Sequence, residues 1–420
     1  MKILFLTVDL PDLSSPSQAF YADLITELTK LGHQITVVAP SKNKKKGIGL
    51  EGGIRVLRVL TGEFIGNIPF WKKGINVWRL SFQYKRAIRQ YLDKDEFDVV
   101  IMPTPPVTLV DVVSFVKKKY SAKLYLILRD IHPECLDRKV VPQRFLERTD
   151  VYEECKQPYG VNTFAYHLLY RKAQQLYEQS DAIGCMSPGN MAYIKQISPG
   201  ISDDRILLLP NWYKGEEKEA LSVCGVRKKY KLQNKFIAIF GGTIGEAQAV
   251  WNIAQLAKMN LEKKDVVFLV VGRGVRKKML EEMARRDNLR NMVFLDYMPR
   301  EDYEAILQTA DLGLISIDEK YKVPTCPSKI IGYMALAKPV LAMFNKGNDY
   351  GEFYIDKPQC GLWADDLDYK ALQEKFEWLY QHPKERKEMG ENGFRYYKEH
   401  FTTEIISKLL SQQLASIVQH

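Results

Sequence analysis

Long apolar runs are missing from this 420-residue chain: no stretch approaches the roughly 18 apolar residues that a membrane-spanning helix needs. Paired cysteines are missing too. Cys135, Cys155, Cys185, Cys224, Cys326 and Cys360 are scattered, with no C-x-x-C pair and no histidine at metal-ligand spacing. That pattern excludes a zinc module and a disulfide scaffold and leaves reduced, structural thiols in a cytosolic chain as the expectation. The run Met1 to Asp9 is too short for the apolar core of a signal peptide and ends in an acid, so export by that route is not expected. Acid is scarce in one place. Residues 42–89 hold twelve Lys/Arg against two acidic residues, an excess equal to the formal net charge of +10 for the whole chain. Uniform basicity is thereby excluded, and one local basic surface is left to explain.

What is present is ordinary for a globular protein, at 46% apolar and 27% charged residues. Short apolar runs alternate with longer amphipathic segments, the pattern of repeated βα units around parallel sheets. Strands are expected at Lys2 to Val8, Gln34 to Ala39, Val99 to Met102, Leu124 to Leu128 and Ala182 to Met186, with helices at Ser17 to Leu31, Val107 to Tyr120 and Phe164 to Gln179. The rhythm pauses near Pro210 and restarts with strands at Phe236 to Gly241, Val266 to Val271, Met292 to Leu295, Leu312 to Ile315 and Val340 to Met343. Two α/β domains are expected, 1–208 and 209–400, with a final helix in 401–420 that crosses back to the first domain.

Open α/β sheets bind ligands beyond the carboxyl ends of their strands, so the residues that directly follow strands are the informative ones. Gly241-Gly242-Thr243-Ile244-Gly245 follows the first strand of the second domain and precedes a helix. Glycines there let backbone N–H groups approach an anion such as a pyrophosphate; a tight turn that binds nothing is the alternative. Gly272-Arg273-Gly274 follows the next strand and offers a guanidinium for bidentate phosphate binding, or merely a solvated arginine. At Pro327-Ser328-Lys329, Ser328 is an expected N-cap or first-turn residue, and Lys329 in the first turn opposes the helix dipole, as a bound anion would explain. In the first domain Arg129-Asp130-Ile131-His132-Pro133-Glu134 follows a strand. Asp130 could orient an acceptor or act as base, His132 share a proton and Glu134 contact sugar hydroxyls; a turn cap and a packed loop histidine are the alternatives.

These stretches, with Leu31-Gly32-His33, Pro103-Thr104-Pro105-Pro106, Ser180-Asp181-Ala182, Leu209-Pro210-Asn211-Trp212, Ala310-Asp311-Leu312 and Lys338-Pro339-Val340, resemble in order and spacing the family-4 retaining glycosyltransferases of bacterial surface-polysaccharide assembly. The resemblance implies the GT-B fold: two Rossmann-like, doubly wound domains facing a central cleft. It implies a donor diphosphate at Gly242, Thr243, Gly245, Arg273, Ser328 and Lys329, a nucleoside near Gly272, Tyr297 and Met298, and transfer with retention and without a metal or other cofactor. The chain departs from the family where two glutamates are usual, the second for the ribose; Pro324 and Gly332 stand there. Thr243 and Gln248 replace an Arg and a Lys, and Ser14 to Gln18 replaces a double-glycine loop.

The segment Phe64 to Arg86 interleaves aromatics with cations. It could lie at a lipid headgroup layer, stack on single-stranded nucleic acid, or form a helix with one packed and one solvated face. The family's lipid-linked acceptors favour an anionic membrane, contacted by Trp71, Lys72, Lys73, Trp78, Lys85 and Arg86, and no nucleic-acid module is present. The expectation is a cytoplasmic enzyme, peripheral on the inner face of the cell membrane. It would move a sugar from a nucleotide sugar, UDP-linked by preference, to a lipid-linked glycan of a capsule or O-antigen. A sugar-nucleotide epimerase and a non-catalytic glycosyltransferase-like subunit are the alternatives.

Overall fold

A computed structural model describes residues 1–14, 20–41, 46–63, 70–131, 133, 164–215, 223–245, 247–318, 323–324, 327–344 and 349–419. The described chain divides into two compact units: one runs to Pro210 and includes the last helix, Thr403–Gln419, and the other is drawn from Asn211–Thr402.

The first unit is built on an eight-stranded sheet. Its strands are β1 (Lys2–Leu6), β2 (Gln34–Pro40), β3 (Gly47–Glu51), β4 (Ile54–Val59), β5 (Val99–Pro103), β6 (Lys123–Leu128), β7 (Ala182–Cys185) and β8 (Ile206–Leu208). Their order is β3-β4-β2-β1-β5-β6-β7-β8, parallel except for the β3–β4 pair. The central strands β1, β5 and β6 are almost continuous apolar runs, as expected of strands covered by helices on both faces. The β3–β4 hairpin was not foreseen. Its β3 reads GIGLE and is largely exposed, so it carries no buried alternation; Gly52 and Gly53, both at positive φ, make the turn.

The last helix packs on helix Phe20–Lys30 and on β6. Ser411 Oγ lies 2.8 Å from His33 Nε2, while Gln413 accepts from the Tyr125 hydroxyl and donates to the Leu208 carbonyl at 3.1 Å. These bonds place the end of the chain within the first unit.

The second unit has a six-stranded, wholly parallel sheet: β9 (Phe236–Thr243), β10 (Val266–Arg273), β11 (Met292–Leu295), β12 (Leu312–Ser316), β13 (Val340–Phe344) and β14 (Gly361–Asp365). The order β11-β10-β9-β12-β13-β14 is that of a doubly wound sheet, and it reverses between β9 and β12. Ligands of such sheets sit beyond the strand ends at that reversal. Trp251, Ile253 and Leu256 of helix Val250–Met259 pack with Phe240, Phe268 and Phe376 in the core that fixes β9 and β10.

Candidate functional site

The glycine turn ends β9. In the β9–β10 register Gly242 lies beside Gly272, and Thr243 beside Arg273. Gly272 has φ +135°, and a Cβ there would stand 2.0 Å from the Gly242 carbonyl oxygen; at Gly274, φ +158°, it would stand 2.1 Å from that of Ile244. Both glycines are therefore required by the close approach of backbone to backbone. Above Gly242, φ +90°, a Cβ would meet nothing within 4 Å, and Gly242 and Thr243 are exposed. Helix Val250–Met259 then begins without a side-chain cap at Ala249. The result is an open turn that can accept an anion on backbone N–H groups.

Lys329 opens helix Lys329–Ala335. Its Nζ donates to Gln248 Oε1 at 3.0 Å and lies 4.2 Å from the Phe240 ring centroid. Burial brings its pKa down to about 7, so the amine is only partly protonated at neutral pH. Gln248, which stands where the resemblance implies a lysine, thus holds a lysine from another strand's loop. Ser328 stands at the start of that helix, as its place in the sequence implies. It occupies the N-cap position but has helical φ −55° and ψ −18°, and its side chain makes no capping bond. A capping hydroxyl requires extended dihedrals to reach the first free N–H groups.

Arg273 is exposed, with its guanidinium carbon 4.3 Å from the Tyr297 ring centroid. Tyr297 and half-buried Met298 follow β11, and Lys277 ties that loop by donating to the Leu295 carbonyl at 3.0 Å and to Asp296 at 2.6 Å. Gly272, Arg273, Tyr297 and Met298 therefore share the end of the sheet that carries the glycine turn. At Gly332, where the resemblance implies a ribose-binding glutamate, a Cβ would meet the Tyr213 ring at 3.4 Å. The Tyr213 hydroxyl donates to Glu304, which also accepts from Arg300 Nε at 2.7 Å. Glu304 escaped sequence reasoning because it lies mid-helix, far from any strand end, and only the fold brings it to Tyr213.

In the first unit Asp130 follows β6. Burial pushes its carboxyl above the ordinary range, with the Arg129 guanidinium acting in the opposite direction. Its backbone carbonyl accepts from Thr104 Oγ1 at 3.1 Å, and Arg129 stacks 3.8 Å from the Phe20 ring centroid. A carboxyl raised in this way is suited to proton transfer. His132 and Glu134 lie outside the described residues.

The basic segment contains helix Phe70–Tyr91. Leu80, Tyr84 and Ile88 are buried on one face, while Ile75, Trp78, Arg79, Phe82, Arg86 and Arg89 line the opposite one and are all exposed, Phe82 by 67%. Lys72 is exposed and Lys85 half-buried; the side chains of Trp71 and Lys73 lie outside the description. Ile75, Trp78 and Phe82 thus lie on the same exposed face as the arginines. Arg55 and Arg58 do not join this face, since Asp95 and Glu51 neutralise them. Among the described residues no helix is long and apolar enough to cross a membrane, and no group of three or more His, Cys, Asp or Glu could hold a metal ion.

Two doubly wound units of this kind make the GT-B fold, and the solved structures similar to the chain are of that fold. A sucrose-phosphate synthase from Thermosynechococcus elongatus superposes with a TM-score of 0.73 at 15% identity, covering 99% of this chain and 98% of that one. HepE of Anabaena, in complex with UDP and glucose, gives 0.68 at 14% identity over 99% and 100% of the two chains. WaaG, a glycosyltransferase involved in lipopolysaccharide biosynthesis, gives 0.65 at 15% identity over 98% and 99%.

Within the second unit, residues 226–396 match the family model described as glycosyl transferases group 1. The chain is 29% identical over 182 residues to the putative colanic acid biosynthesis glycosyl transferase WcaI of Escherichia coli K12, covering 42% of this chain and 44% of that protein. It is 24% identical over 269 residues to the probable glycosyltransferase WbjE of Pseudomonas aeruginosa, covering 63% and 61%. The matched segments thus span less than two thirds of either relative.

Proposed function

We propose that the protein is a retaining glycosyltransferase of surface-polysaccharide assembly. The second unit binds a nucleotide sugar, UDP-linked by preference, and the first unit binds a lipid-linked glycan acceptor at the cytoplasmic face of the membrane. The observation that carries this reading is the open glycine turn beside the sheet reversal, with Lys329 close to its far end. As the sugar leaves, negative charge grows on the diphosphate. Backbone N–H groups of the turn, the Lys329 ammonium and Arg273 meet that charge, which is most of what such a transfer requires of a protein. Asp130 serves the acceptor hydroxyl as a proton-accepting or orienting carboxyl. No metal enters this scheme, because the cations of the chain perform its part.

Thermal-shift titration with UDP-, GDP- and ADP-sugars tests the donor site, since a ligand that binds only the folded state raises the melting temperature. Stabilisation by one nucleotide class, lost in Lys329→Ala and reduced in Arg273→Ala, is expected; stabilisation by none overturns the reading. The membrane assignment rests on the exposed face of helix Phe70–Tyr91, where aromatic rings and arginines suit an anionic headgroup layer. Flotation with anionic liposomes tests it.

The departure at Gly332 supports a second reading, a glycosyltransferase-like subunit that assists a partner. Tyr213 takes the space beside Gly332, and the ribose carboxylate is missing there. A purified chain that binds nucleotide sugars yet transfers nothing to lipid-linked acceptor would favour that reading.

A further inference from the structure

Arg276 and Asp318 lie outside every residue set assigned above, and they are only 4% and 3% exposed. Arg276 directly precedes helix Lys277–Arg286, and Asp318 follows β12. Each reaches the glycine turn through its backbone: Arg276 N–H donates to the Ile244 carbonyl at 3.1 Å and Asp318 N–H to the Ala247 carbonyl at 2.9 Å. Residues from two other strands thus hold the turn at two points. Their side chains also meet, with Arg276 Nη2 3.7 Å from Asp318 Oδ2, which is too long for a hydrogen bond. The guanidinium carbon lies 5.0 Å from the Trp251 ring centroid, and Arg276 Nε and Nη1 have no hydrogen-bond partner.

An arginine stays ionised even when buried, and a buried charge with unpaired donors is costly. Here the positive charge is only partly compensated, beside a turn that offers further N–H groups. In surroundings of low polarity such a charge acts over several ångströms without contact. An anion seated on the turn supplies the compensation that Asp318 does not. We propose that Arg276 is a positioning residue for the donor diphosphate, its buried charge making the turn attractive to an anion, with Asp318 as a counter-charge that limits the effect. The proposal rests on the donor-site reading and extends it, because neither residue has to touch the nucleotide.

Calorimetric titration with UDP, GDP and ADP, each compared with its parent nucleoside, tests this in the full chain and in Arg276→Gln, Arg276→Lys and Asp318→Asn. Arg276→Gln is expected to weaken diphosphate binding by about tenfold and leave nucleoside binding within about twofold. Arg276→Lys, which keeps the charge, retains most of the affinity. Asp318→Asn tightens diphosphate binding, so two variants that break the same ion pair move affinity in opposite directions. A strap without an electrostatic role would be weakened by both, and that result overturns the proposal, as does no change in any variant. Should Arg276→Gln fail to fold, Asp318→Asn decides alone: tightening supports the proposal and weakening or no change ends it. If the unaltered chain binds no nucleoside diphosphate, the donor-site reading itself falls, a failure distinct from the others.

Discussion

In the first unit the cations Arg79, Arg86 and Arg89 stand exposed on one helix face among Ile75, Trp78 and Phe82, whereas in the second unit Lys329 and Arg276 are drawn in against Phe240 and Trp251. The difference is one of mechanism. Exposed charges act as a group on a large anionic surface and are screened by salt, while a buried charge acts singly on one bound anion and pays for its burial in protonation or in unpaired donors. Lys329 shows the first of these costs, with its pKa near 7, and Arg276 shows the second.

The largest expected effect is at Lys329. Lys329→Met should lower kcat/KM for sugar transfer by about 100-fold while leaving liposome binding unchanged, because a cation facing the leaving diphosphate contributes both to binding the donor and to stabilising the charge that grows in the transition state. Loss of liposome binding in the same variant would break the separation between the two kinds of charge. Next, reversal of Arg79, Arg86 and Arg89 to Glu should reduce binding to anionic liposomes by more than about tenfold, at ~1 kcal/mol per charge near the surface. Its melting-temperature shift with nucleotide should stay as in the unaltered chain. Raising salt from about 50 mM to about 500 mM should weaken liposome binding several-fold more than nucleotide binding, because the Debye length falls below the spacing of an exposed stripe.

A smaller effect concerns pH. In the proposed donor site a nucleoside diphosphate should favour protonated Lys329 and so raise its pKa from about 7 in the free protein. Affinity is then fully present below pH 7 and falls by at most about tenfold per pH unit as pH rises from about 7 to the pKa of the complex. Titration in two buffers of different ionisation enthalpy should register proton uptake in that range; release or no exchange would remove Lys329 from the diphosphate. The smallest expected effect is none at all: EDTA should leave transfer unchanged, and its inhibition of transfer would overturn the metal-independent scheme.

Much of the fold was legible because β1, β5, β6, β9 and β10 are buried on both faces and read as unbroken apolar runs. The β3–β4 hairpin was not, since Gly47 to Glu51 buries little and hydrophobic pattern cannot speak for an exposed edge. The glycine turn could be recognised from spacing, yet the need for Gly272 and Gly274 comes from the carbonyls of Gly242 and Ile244, which no local pattern contains. At Ser328 the local pattern allows a cap or a first-turn residue, and the helical dihedrals without a capping bond favour the second. The basic segment allowed three readings from composition, and burial of Leu80, Tyr84 and Ile88 decided which of its residues face outward.

By itself the sequence determined where strands alternate with helices, where the positive charge collects and which strand ends carry glycine, arginine and lysine, because each of these is a local property of residue type and spacing. Only the tertiary structure decided that Gln248 holds Lys329, that Tyr213 lies against Gly332 and that Arg276 and Asp318 meet beside the turn. Those pairings join residues tens of positions apart, and they arise from the order in which the parallel strands of the second sheet are laid down.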